Sequence, residues 1–180
     1  QRCHPDHASR FDSLTFDAFA KGLVDRFGQA LPDRWRPTAD YGILFPKRAH
    51  WADFLRRAGL AQDNLFGQAA VQGLSVNYFE RRHVLDERLP EAGWPPVTAG
   101  RWAGQRFWDE QLRGIARSYL TFPMISRLAE LLIRVNASVR NALALTYSHV
   151  FMDEFQDTTQ AQFDLVQAIF LGTPTIMTAV

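Results

Sequence analysis

A single cysteine, Cys3, rules out an intramolecular disulfide and with it the stapled small-domain class. Lysine is almost as scarce, since Arg supplies all of the 20 basic residues except Lys21 and Lys47. No apolar run reaches the ~20 residues that a membrane-spanning helix needs. The start, QRCHPDHASRF, lacks the apolar stretch of a signal peptide. These absences fit a reducing cytoplasm and a chain without a membrane partner. There is no internal repeat and no low-complexity segment. Nor does Gly-x-x-x-x-Gly-Lys, the loop that cradles nucleotide phosphates, occur anywhere in the chain.

What is present is globular. At 180 residues, 47% hydrophobic and 13% aromatic, the chain suffices for one full domain or two small ones. The net charge of +1 hides an asymmetry. The part before Val150 carries 20 basic and 15 acidic residues, a balance of +5. From Val150 onward there are four acidic residues and no Lys or Arg. Arginine binds phosphate bidentately and stacks on bases, so the bias suits nucleic acid. A GC-rich genome gives the same bias with no function attached.

Along the chain, Ser13 to Phe16 reads as a short β-prone run. It leads into a helix with Phe19, Leu23, Val24 and Phe27 at helical spacing, ended by Gly28. Tyr41 to Phe45 is extended, and Arg48 to Ala58 forms a helix stopped by Gly59. Gln62 to Leu89 divides into two short helices near Gly73. LPEAGWPPVTAG is a loop. Further helices are expected over Trp102 to Tyr119, from Pro123 through Leu132, and over Val139 to Leu145. SHVFM then reads as a buried strand, Gln160 to Phe170 as an amphipathic helix and TPTIMTAV as a second strand. Strand, acidic turn, helix, strand makes one crossover unit of a parallel sheet. The fold class expected is mainly α with a small parallel β portion.

The acidic turn carries the chemistry. Asp153 and Glu154 fall at the carboxyl end of the first strand, where open α/β sheets place their ligands. An Asp there holds Mg²⁺ against nucleotide phosphates, and the adjacent Glu polarises an attacking water. The same pair also suits the start of a helix, where acids favour the dipole. Together with Asp157 it also suits a metal-dependent nuclease or phosphatase. The longer string DEFQDTTQAQFDLV resembles motif II of the UvrD/Rep/PcrA-like superfamily-one DNA helicases, of the form D-E-[FY]-Q-D-T-x-x-x-Q. Asp153, Glu154, Phe155, Gln156, Asp157, Thr158 and Gln162 all match. LTFDAFAKGLV resembles the family's motif Ib, with Thr15, Phe16 and Phe19 in place and Asp17 and Ala18 where His and Ser are usual.

The resemblance implies a fragment spanning motif Ib to motif II, cut from a RecA-like P-loop α/β motor domain with a helical 1B-type insertion. Residues 1–47 and 121–180 would belong to motor domain 1A, and residues 48–120 to the insertion. The family's phosphate loop would precede this segment, and the Gly-Asp of its motif III would follow Val180. It further implies ATP and Mg²⁺ as cofactors, Asp153 and Asp157 at the nucleotide and metal, and Glu154 and Gln156 in catalysis. DNA, single-stranded or at a duplex junction, would be the partner, together with the rest of the helicase polypeptide. Translocation would run 3′ to 5′, and the segment alone would be inactive. Thr15 and Phe16 would lie beside single-stranded DNA, although Phe16 and Phe19 also suit a core. Arg81 and Arg82, and the pair Arg56–Arg57, suit either DNA-backbone contact or a solvated helix face. Trp94, Trp102 and Trp108 suit base stacking or burial. Cys3, His4 and His7 have ligand chemistry at close spacing. A non-catalytic helical DNA-binding or interaction module is the alternative to the helicase reading.

Overall fold

The computed structural model describes residues 11–180; Cys3, His4 and His7 fall outside them. The first helix, α1 (Phe16–Phe27), starts where a strand was expected. Thr15 lies in an extended conformation and its hydroxyl accepts a hydrogen bond from the Ala18 amide at 3.1 Å, so a β-prone residue serves as a helix cap. Gly28 ends the helix, and Ala20, Leu23 and Val24 face inward. Their partner is α6 (Phe122–Val135), capped by Thr121 and opened by Pro123. Ten of the 14 residues of α6 are buried, because it packs between α1 and the later helix α8 (Gln160–Phe170). A helix enclosed on several sides reads as apolar nearly all round.

A second group of elements surrounds an aromatic cluster. It comprises α2 (Arg48–Gly59), α3 (Gln68–Gln72), α4 (Val76–Phe79), a π-helical turn over Glu80–Asp86 that continues α4, and α5 (Ala99–Leu112). The break at Gly73 is where the sequence places it; the π-helical turn is not foreseen. Phe54 stacks on Phe79 with ring centroids 5.6 Å apart, and Trp51 lies 4.7 Å from Phe107. Trp35 sits edge-on to Trp94 at 5.6 Å and to Trp108 at 5.5 Å, and its indole N–H donates to the Pro90 carbonyl. Trp94, Trp102 and Trp108 are therefore core residues and present no open face for base stacking.

The helix expected to reach Tyr119 stops at Leu112. The Ser118 hydroxyl donates to the Leu112 carbonyl at 2.6 Å, and a Cβ at Gly114 would lie 2.5 Å from the Arg117 carbonyl oxygen. The chain folds back tightly enough to satisfy the last turn and then becomes extended. Tyr119–Leu120 (β2) pairs in parallel with Gly42–Ile43 (β1).

The remaining elements are α7 (Ala137–Thr146), capped by Asn136, then β3 (His149–Met152), α8 and β4 (Ile176–Ala179). β3 and β4 pair in parallel, with His149 opposite Ile176 and Met152 opposite Ala179. The crossover unit read from the sequence is thus present, and the molecule is mainly helical with a few short parallel strands. The expectation of a buried strand fails, however. Met152 is buried, but Phe151 is 69% exposed and β4 is exposed throughout. Among the described residues the sheet has only two strands, too few to bury its faces.

Candidate active site at the end of a parallel strand

Beyond Met152 the backbone is held from both sides by the chain end of β4. The Val180 amide donates to the Met152 carbonyl at 3.0 Å, and the Phe155 amide donates to the Val180 carbonyl at 2.9 Å. Between these bonds the chain turns sharply. Glu154 has φ 51° and ψ 43°, the only positive φ at a non-glycine among the described residues. That left-handed conformation costs on the order of 1–3 kcal/mol and occurs where surrounding contacts over-determine it, often at functional sites. A single-turn 3₁₀ helix, Phe155–Asp157, follows, and the Asp157 amide donates to the Glu154 carbonyl at 2.9 Å.

The turn fixes the carboxylates in distinct roles. Asp153 accepts the Glu154 amide on Oδ1 at 3.1 Å, which orients its carboxyl at the strand end. The Gln156 side-chain amide donates to Oε2 of Glu154. Both acids are exposed, and neither forms an ion pair among the described residues. They do not cap α8. That helix has its own capping box, with the Thr159 amide donating to Gln162 Oε1 and the Gln162 amide donating back to the Thr159 hydroxyl. Glu154 precedes the 3₁₀ turn without a side-chain capping bond. The helix-cap explanation of the acidic cluster therefore fails on geometry.

Among the described residues, no group of three or more His, Cys, Asp or Glu is placed to hold a metal ion. Asp153, Glu154 and Asp157 are thus not gathered into a cage of the kind a metal-dependent nuclease needs. One oriented carboxylate does fit Mg²⁺, which keeps several waters and binds through one or two carboxylates plus substrate phosphates. Asp153 is the residue that fits.

Arg81 and Arg82 lie exposed in the π-helical turn. Together with Thr158, Thr159 and Gln160, which directly follow the acidic turn, they line a cleft of about 880 Å³. Thr15 and Phe16 start α1, elsewhere on the α6 face, with Phe16 half-buried against the core. The sequence reading brought these four residues to one ligand; the cleft includes only the two arginines. Arg56 and Arg57 are engaged by Asp53, and Arg57 also by Glu110, as a solvated helix face would be.

Sequence reasoning missed a buried ionic network beneath the site. Arg127 is fully buried on α6 and donates to Asp164 of α8 at 2.6 Å, to the Leu85 carbonyl at 2.7 Å and to the Asp86 carbonyl. Asp164 also accepts from Arg88 at 2.8 Å and from Gln160 at 2.9 Å. Burial pushes the Asp164 carboxyl up, but the bonds from Arg88, Arg127 and Gln160 outweigh it and hold it below the usual carboxylate range. Glu130, buried as well, accepts from Arg134 at 3.0 Å. The signal was available, since Arg127 and Glu130 interrupt the apolar stripe Met124, Ile125, Leu128, Leu131 and Leu132.

No helix among the described residues is long and apolar enough to cross a membrane. No curated protein matches the chain. Residues 110–180 match the model of the UvrD/REP helicase N-terminal domain, a stretch that contains α6, β3, the acidic turn, α8 and β4. Over that stretch the chain is similar to the UvrD-like helicases.

Proposed function

We propose that this chain supplies the Walker B part, and part of the DNA-binding surface, of an ATP-dependent 3′-to-5′ DNA helicase. The observation that carries the reading is the match over residues 110–180 together with the oriented acids at the carboxyl end of β3. Residues 1–47 and 121–180 would form parts of motor domain 1A and residues 48–120 a 1B-like insertion. Asp153 would hold Mg²⁺ with ATP, and the ion would neutralise the phosphates when bound. Glu154, turned away from Asp153 by its left-handed backbone, is free to polarise the attacking water as general base. Gln156 fixes the Glu154 carboxylate through its side-chain amide. Asp157, in the 3₁₀ turn, lies within the same hydrogen-bonded loop and would connect the nucleotide site to neighbouring motifs.

The experiment is kinetic and uses the helicase polypeptide that contains this segment. Glu154→Gln should lower kcat by ~10²–10⁴ with nucleotide affinity nearly unchanged, because the general base acts in the transition state. Asp153→Ala should weaken Mg²⁺-nucleotide affinity as well. Wild-type turnover in the Glu154→Gln enzyme would overturn the assignment. The 180-residue chain alone, which contains no Gly-x-x-x-x-Gly-Lys, should show no ATP turnover with or without single-stranded DNA.

A further inference from the structure

We infer that Arg88, Arg127 and Asp164 form a positioning clamp for the proposed general base. They fix α8, and through it the acidic turn, so that the Glu154 carboxylate meets the attacking water. This rests on the helicase reading and adds to it three positioning residues that act through Glu154. The acidic turn has two moorings. On one side the Val180 amide and carbonyl hold Met152 and Phe155. On the other, the chain runs through Thr158 and Thr159 into α8, and the Phe155 ring lies 6.2 Å from that of Phe163. Glu154 thus takes its place from wherever α8 sits. Its left-handed backbone persists only while such contacts hold it.

What places α8 is one carboxylate. Asp164, the residue after Phe163, is 5% exposed, and both of its oxygens are taken. Oδ1 accepts from Arg88 at 2.8 Å and from Gln160, the residue that opens α8, at 2.9 Å. Oδ2 accepts from Arg127 at 2.6 Å. The Arg127 guanidinium is a rigid planar fork, and its other N–H groups bind the Leu85 carbonyl at 2.7 Å and the Asp86 carbonyl. One planar group therefore sets the spacing between α8 and the end of the π-helical turn. Arg88 and both carbonyls lie before residue 110, outside the matched stretch. Apolar side chains of similar volume often stabilise a core as well as a buried ion pair does, or better, so stability alone does not call for these charges. Geometry does, because a shift of about 1 Å at a reacting group can cost ~10²-fold in rate.

The test measures turnover and nucleotide affinity separately in the helicase polypeptide, at a temperature where melts show each variant folded. Arg127→Leu/Asp164→Leu should turn over at least ~tenfold more slowly, with KM for Mg-ATP within about twofold of wild type. A merely structural pair predicts the reverse, turnover restored along with stability. Arg88→Gln, at a half-exposed residue that leaves the buried pair in place, should lower kcat by a smaller factor, and Arg88→Lys should recover most of it. Introduced into the Glu154→Gln enzyme, the leucine pair should slow turnover no further, because the clamp acts through Glu154. Arg106→Ala, which breaks an exposed pair between α5 and Asp63, should leave kcat unchanged. Wild-type kcat in the leucine pair or in Arg88→Gln would overturn the clamp. So would a loss that multiplies with that of Glu154→Gln, or an equal loss in Arg106→Ala. A slow Glu154→Gln enzyme beside a fast leucine pair defeats the clamp alone, whereas a fast Glu154→Gln enzyme defeats the helicase reading.

Discussion

Helix α6 and the β3–β4 pair have similar apolar sequences and opposite fates. ISRLAELLI is buried from end to end, its Arg and Glu included, whereas of β3 and β4 only Met152 is buried. The difference lies in neighbours. Helix α6 is enclosed by α1, α7, α8 and the π-helical turn, while the sheet consists of two strands whose main packing partner is each other. Hydrophobicity specifies a wish to be covered; packing partners decide whether it is met. The candidate catalytic acids belong to the second, open region, and the buried network belongs to the first.

Four substitutions sharpen or break this comparison. Arg127→Leu should cost the most, ~3–5 kcal/mol, because Asp164 and two carbonyls lose a buried partner. Arg127→Leu/Asp164→Leu should cost less than that single change, and denaturant melts of both chains check the order. Gly100→Ala comes next, at ~1–3 kcal/mol, although alanine normally favours a helix. A Cβ there would strike the His83 ring, and Gly104 packs on the same residue. Glu154→Gly should instead stabilise the chain by up to about 1 kcal/mol by relieving a left-handed non-glycine residue, while removing the carboxylate. Phe151→Ser should change the thermal midpoint least, within the equivalent of ~0.5 kcal/mol, since the ring is already in water. A large loss from Phe151→Ser would mean the sheet is covered in solution.

Acid should act on the enclosed region. Burial lowers the His83 pKa below its usual value, although Glu87 at 3.3 Å opposes the shift. The folded state thus disfavours protonated His83. Its stabilising effect is present above the unfolded pKa, ~6.5, and lost as pH falls through it toward the lower folded value. Asp164, also depressed, holds its effect until the ordinary carboxylate range, near ~4, and loses it below. Melting temperature should therefore fall in two stages on acidification, and His83→Gln should diminish the first stage only.

Most of the helices were legible because capping and punctuation residues act locally. Thr159 with Gln162, Pro123 in the first turn of α6 and Gly28 after α1 mark their boundaries without tertiary help. The acidic turn was legible as a string of residue types. The left-handed Glu154 was not, because it depends on Val180 bracing both sides of the turn. Strand β2 was hidden because Tyr119 and Leu120 continue a helical pattern until Ser118 meets Thr38, a partner 80 residues away. The Arg127 network escaped for the same reason. Its partners are backbone carbonyls and a carboxylate 37 or more residues distant, and carbonyls have no letter in a sequence.

The π-helical turn has a meaning in terms of chain length. A π-helical turn is equivalent to an α-helix with one residue too many, held in place because the surroundings accept the wider coil. Deleting Glu80, between Phe79 and Arg81, would return the turn to α-helical winding; with Leu85 and Asp86 held by Arg127, the change of winding would fall on the residues before them, the arginines included. Arg81 and Arg82 would then leave the cleft while the composition stayed almost unchanged. Whether this surface meets Thr158 and Thr159 thus depends on a count of residues more than on their identity, and a single codon gained or lost can make or unmake it.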